Sequence, residues 1–148
     1  VSNYCTPIQR LQVVREGSIN RRPRITSTAT ARSFAEAFFA QRGADRECFV
    51  VAHLDTKHRP MSIEVCTVGT LDASLVHPRE VFKAAILAGA SAVLLMHNHP
   101  SGDPTPSRED RAVTDRLEQV GKIIGINVLD HIVVGDDEGG SVSLRKAI

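Results

Sequence analysis

The spacing of apolar and polar positions changes period several times along the chain, and each change predicts an element. After Ser27 or Thr28, the residues Phe34, Ala35, Phe38 and Phe39 recur at helical spacing, and Gly43 supplies a stop. Residues 47–54 form an almost continuous apolar run that reads as a strand. The turn-forming stretch Asp55-Thr56-Lys57-His58-Arg59-Pro60 follows. Over Met61–Val68, Met61, Ile63 and Val65 alternate with Ser62, Glu64 and Cys66, predicting a half-exposed strand antiparallel to the one before it. Pro78 suits the first turn of a helix whose face is Val81, Ala84, Ala85 and Ala88, ending at Gly89. Residues 91–97 are a buried strand, 98–106 a Pro/Gly-rich loop, and 108–124 a helix with the stripe Val113, Leu117, Val120, Ile124. Ile126–Val134 is a further strand, and Gly139-Gly140 turns into a short last one near Val142–Leu144. Residues 1–26 read as an irregular N-terminal extension with one short strand at Leu11–Arg15, preceding a domain over 27–148. Strands with intervening helices predict a mixed sheet flanked by helices.

Composition narrows the class. A chain of 148 residues suits one domain, and 42% hydrophobic residues suffice for an ordinary core. No apolar run approaches the roughly 18 residues needed to span a bilayer, and Val1–Gln9 carries no signal-peptide pattern. The three cysteines, Cys5, Cys48 and Cys66, are odd in number and widely spaced, against a disulfide framework and a cysteine-rich zinc site. A reducing cytoplasm is the expected setting. The net charge of +1 provides no global field for nucleic acid or acidic lipid. The one basic cluster, Arg21-Arg22-Pro23-Arg24, reads as a solvated arm before it reads as a DNA contact.

The chemistry concentrates in residues 97–110, His-Asn-His-Pro-Ser-Gly-Asp-Pro-Thr-Pro-Ser-Arg-Glu-Asp. Residues i and i+2 of a strand share a face, so His97 and His99 would project together from the end of a buried strand. Counting back from Val113 by threes reaches Asp110 and Ser107, both on the core-facing stripe of the next helix. An inward carboxylate must be paired or metal-bound, because desolvating it alone is too costly. Ser107-x-x-Asp110 also resembles a helix capping box, although that motif prefers Glu or Gln in last place. A cap does not account for the two histidines. Two imidazoles and a carboxylate with one open position are what a catalytic zinc site needs. The letters His97-Asn98-His99 match a nuclease class only by accident of spelling, and the His-x-Glu and Cys-x-x-Cys of a zinc deaminase are absent. His131, inside an apolar strand, reads as a core histidine or a support for the site in preference to a further ligand, and His53 as packing.

The series His-x-His, seven residues, Ser, two residues, Asp is the signature of the JAMM metallopeptidases, the JAB or MPN-plus domains. Gly69-Thr70, Ser74, His77-Pro78-Arg79-Glu80, His97 to Pro104, Ser107, Asp110 and Asp130-His131-Ile132-Val133-Val134-Gly135 resemble the bacterial RadC branch over roughly residues 27–146. The resemblance implies a three-layer α/β/α sandwich with a mixed sheet, similar to cytidine deaminases. It implies that His97, His99 and Asp110 bind Zn2+, with water in the fourth position. Glu47, at the position of the family's early-strand glutamate, would take the proton from that water, and Ser107 would hydrogen-bond the oxyanion. The implied activity is hydrolysis of a peptide or isopeptide bond in a protein or peptide substrate. Longer RadC proteins carry a helix-hairpin-helix region before this domain, for which the segment before residue 27 is too short. A DNA-processing role, as nuclease or accessory factor, is the rival reading. A metal-free scaffold is the third, and the intact ligand set argues against it. A homodimer stays open.

Overall fold

The computed structural model describes residues 5–18, 23–43, 45–69, 76–136, 138 and 140–145. Helix α1 (Thr28–Arg42) begins at Ser27, whose side chain accepts from the Thr30 N–H while the Thr30 side chain reaches back to the Ser27 N–H. Strands β1 (Cys48–Leu54) and β2 (Pro60–Val68) follow, then α2 (Pro78–Leu87), β3 (Ala92–Asn98), α3 (Arg108–Ile124), β4 (Asn127–Val134) and β5 (Ser141–Ser143). The sheet order is β2-β1-β3-β4-β5. β1 is antiparallel to β2 and β3, β3 is parallel to β4, and β5 is antiparallel to β4.

Alternate strand residues feed two cores. Val50, Ala52 and Leu54 of β1, with Ala92, Leu94 and Met96 of β3, pack under the α1 residues Ala31, Phe34, Ala35, Phe38 and Phe39. Phe49 and Val51, with Val93 and Leu95, pack on the other face against Val81, Phe82 and Ala85 of α2 and Val113 and Leu117 of α3. β1 and β3 are buried along their whole length because helices cover both faces. The result is an α/β/α sandwich with a mixed sheet, the fold class expected from the sequence.

Four local differences from the sequence reading have physical causes. Residues 11–15 form no strand: Leu11, Val13 and Val14 are exposed and have no neighbouring strand among the described residues to complete their hydrogen bonds. The last strand starts one residue early, at Ser141, whose hydroxyl is tied to Arg32 and Glu36 of α1. On α3 the buried line is Asp110, Val113, Thr114, Leu117 and Gly121, and Ile124 is exposed. Gly121 takes the inward place because any Cβ there would collide with the Ile126 carbonyl oxygen. On α2 the inward set is Val81, Phe82 and Ala85, since Phe82 reaches across toward Gly121 of α3.

One irregularity in β4 matters for the site. The β3–β4 register slips between Val93 and Leu94, so Val93 opposes Val128 but Leu94 opposes Asp130. The extra residue, Leu129, inverts the inward face of everything after it. Val128 faces α3, yet so does His131, while Ile132 and Val134 face α1. No described helix is long and apolar enough to cross a membrane.

Candidate metal centre

β3 delivers His97, fully buried, at its C-terminal end on the α3 side of the sheet. His99 leaves the strand just beyond, where its N–H donates to the Val134 carbonyl at 2.8 Å. α3 contributes Asp110 from its first turn, with 1% of its surface exposed. Three side chains converge: His97 Nε2 lies 3.0 Å from Asp110 Oδ1 and 3.1 Å from His99 Nε2, and His99 Nε2 lies 3.2 Å from Asp110 Oδ2. In a tetrahedron with bonds of about 2.0–2.1 Å, ligand atoms stand about 3.3 Å apart. The three side chains thus match one face of a zinc-sized tetrahedron. A carboxylate oxygen of Glu47, immediately before β1, completes a set whose ligand atoms all lie within 4.8 Å of one another.

The polar surroundings of these residues support the same orientation. His99 Nδ1 stands 2.8 Å from the Asp103 carbonyl oxygen, which can only accept, so Nδ1 carries the proton and Nε2 of the neutral ring is left bare. Burial alone would raise the Asp110 carboxyl. Its contacts with His97, together with those to the Ser107 backbone and hydroxyl, outweigh burial and hold the carboxyl well below the usual carboxylate range. An ionised carboxylate beside two imidazoles suits a cation, and the donor set of two nitrogens and one oxygen suits zinc among the common ones.

Ser107 fits the capping-box reading and is exposed, off the core-facing line that begins at Asp110. It caps α3, its hydroxyl oxygen accepting from the Asp110 N–H at 3.1 Å, while its own N–H donates to Asp110 Oδ2 at 2.7 Å. The cap therefore aims the Asp110 carboxylate, and it uses only a lone pair of the exposed hydroxyl. Five residues singled out in the sequence are thus gathered at the C-terminal edge of β3: Glu47, His97, His99 and Asp110 in one cluster, and Ser107 on the adjoining helix cap.

Two contributors were not legible in the sequence. Asn98, between the histidines, points to the opposite side and is fully buried. Its Oδ1 accepts from the Cys48 N–H at 2.8 Å and its Nδ2 donates to the Arg46 carbonyl at 2.9 Å, gripping both peptides that flank Glu47. The Gly69 N–H adds a third tie, to the Glu47 carbonyl, at 2.7 Å. Thr114 is the second, a hydroxyl on the inward line of α3, one turn after Asp110. Its polarity at a core position was the available signal. His131 lies in the core and meets His97 at Nδ1, the ring nitrogen turned away from the cluster. His53 lies toward the far end of β1, with Nδ1 2.7 Å from the Ser62 hydroxyl and Nε2 buried without a partner among the described residues. Arg21 and Arg22 of the basic cluster lie outside the described residues.

The loop after His99 is held close to the end of β4. The Gly102 N–H donates to the His99 carbonyl, and the Asp136 N–H to the Gly102 carbonyl. Gly102 adopts φ +91, and a Cβ there would collide with the Asp136 carboxylate, so only glycine fits.

An α/β/α sandwich with a buried two-histidine, one-carboxylate cluster at the end of a central strand defines an α/β protein with a candidate metal centre. The RadC-like JAB domain family matches residues 25–147, and the chain belongs to that family. It is 60% identical over 100 residues to a UPF0758 protein of Symbiobacterium thermophilum, covering 68% of this chain and 42% of that protein. It is 54% identical over 105 residues to one of Caldanaerobacter subterraneus, covering 71% and 44%. With a UPF0758 protein of Methanosarcina acetivorans it shares 49% over 112 residues, covering 76% and 48%. The chain spans about half the length of the curated relatives it matches.

Proposed function

We propose that this chain is a zinc-dependent hydrolase that cleaves a peptide or isopeptide bond in a protein or peptide substrate. The observation that carries the reading is the triangle of His97, His99 and Asp110 with the Glu47 carboxylate within 4.8 Å. Zinc held by those three side chains would supply a Lewis acid that brings the pKa of water to about 7 and polarises a carbonyl. Glu47, half-exposed beside the cluster, is placed in this reading to accept the proton of the attacking water and pass it to the leaving amine. The Ser107 hydroxyl would donate a hydrogen bond to the developing oxyanion. Asn98 holds the backbone on either side of Glu47 while that carboxylate works.

The test has two parts. Metal content is measured by mass spectrometry on protein purified without added metal, beside Asp110→Ala; about one zinc per chain, absent from the variant, is expected. Glu47→Gln is then assayed against a panel of peptide and isopeptide amides. It should retain zinc and lose hydrolysis by roughly 10²-fold or more. Full activity in Glu47→Gln would remove that residue as the base, and a protein that takes up no metal would end the reading.

A further inference from the structure

Behind His97 runs a line of buried polar atoms that the proposed reaction does not use. His97 Nδ1 is 2.8 Å from His131 Nε2. His131 Nδ1 is 2.5 Å from Thr114 Oγ1, and Thr114 Oγ1 is 2.9 Å from the carbonyl oxygen of Asp110. All four residues are at most 4% exposed. The line starts on one candidate ligand and ends on the backbone of another, passing through β3, β4 and α3.

The direction of every hydrogen bond follows from its last member. A carbonyl oxygen has no proton to give, so the single proton of the Thr114 hydroxyl is used on Asp110. Toward His131 the hydroxyl can then only accept, so Nδ1 of His131 carries a proton. The His131 ring is fully buried and hydrogen-bonds only His97 and Thr114 among the described residues, while the neighbouring Asp130 carboxylate takes the backbone N–H of His131, which favours the neutral ring. Its Nε2 is therefore bare and accepts, and His97 must donate from Nδ1. A neutral His97 that donates from Nδ1 presents a bare Nε2, the atom aimed at Asp110 and His99.

We propose that Thr114 and His131 are positioning residues that fix His97 in its Nδ1–H tautomer and so set the affinity of the metal centre. The proposal rests on the zinc reading of the His97, His99 and Asp110 cluster and goes beyond it. Neither residue offers an atom to the ligand triangle: His131 acts through the far ring nitrogen of His97, and Thr114 acts through His131 from its anchor on the Asp110 carbonyl. His99 has its own lock in the Asp103 carbonyl, so the two imidazoles are oriented independently.

The experiment uses Thr114→Val, which keeps shape and loses the hydroxyl, and Thr114→Ser, which restores it. Zinc affinity is read by competition with a chromophoric chelator, and ring tautomers by nitrogen-15 NMR of the zinc-loaded chain. Thr114→Val should bind zinc roughly 10- to 100-fold more weakly, and Thr114→Ser should recover most of that loss. The unsubstituted protein should show His131 as the Nδ1–H tautomer with Nε2 accepting. Unchanged affinity in Thr114→Val, or a proton on His131 Nε2, would overturn the proposal while leaving the zinc reading intact. Failure of the unsubstituted chain to bind zinc would overturn both. Normal zinc binding with no hydrolysis would remove the peptidase reading and leave the relay standing.

Discussion

At the scale of single residues, Asp110 serves two structures at once. Its buried carboxylate accepts from the Ser107 N–H and faces two imidazoles, of which His97 is fully buried and His99 partly so. Asp110→Ala strands that N–H and should destabilise the fold by about 1–3 kcal/mol in urea denaturation. Asp110→Asn keeps an acceptor for Ser107 without the charge, so it should lie nearer the parent in stability while still losing zinc on metal analysis. His53 offers a separate test. Burial lowers its pKa from 6.5 to about 4. Below pH 6.5 the unfolded chain takes up a proton that the folded chain refuses, so the stability contributed by a neutral His53 is complete above pH 6.5 and is lost as the pH falls toward 4. The loss should approach about 3 kcal/mol at pH 4. His53→Leu should flatten that limb of the stability-versus-pH curve, measured by denaturant titration at several pH values; an unchanged limb would show that other groups produce it.

Among elements, α3 connects stability to chemistry through its first turn. Ser107 caps the helix and orients the Asp110 carboxylate with the same two hydrogen bonds. Ser107→Ala should destabilise by about 1 kcal/mol, and Ser107→Gly by only a few tenths. If the hydroxyl serves the oxyanion, both variants should lose hydrolysis alike, by roughly 10²-fold. A loss that scaled with stability would reduce Ser107 to its cap. The helices and inner strands were legible in the sequence because a sandwiched sheet imposes long apolar runs and its helices impose a 3.6-residue period. The segment at 11–15 misled because apolar alternation makes a strand only beside a second strand, and none reaches it among the described residues.

For the whole molecule, the proposed ion would join β3 to α3, which are otherwise linked by a loop and by packing through the second core. A ligand that binds only the folded chain adds about 2.7 kcal/mol at a concentration one hundred times its Kd. For a chain of this size that corresponds to a rise in Tm of roughly 5–10 °C. Thermal melts with and without zinc should show the rise, chelation should reverse it, and Asp110→Ala should abolish it. An equal rise in the variant would place the stabilising ion elsewhere.

The sequence by itself determined which residues make up the candidate cluster and the class of fold. Ligand spacing is local: His97 and His99 share one strand end, and Asp110 lies one helical turn beyond a cap. It also carried the resemblance that singled out Glu47. Only the tertiary structure decided how residues distant in the chain support that site. Asn98 reaches back some fifty positions to hold the peptides around Glu47. His131 faces the site only because the extra residue at Leu129 inverts the strand, where simple alternation from Val128 would have turned it toward α1. Period and spacing are properties of neighbouring residues, whereas register and the bulge that shifts it are fixed by pairing with another strand.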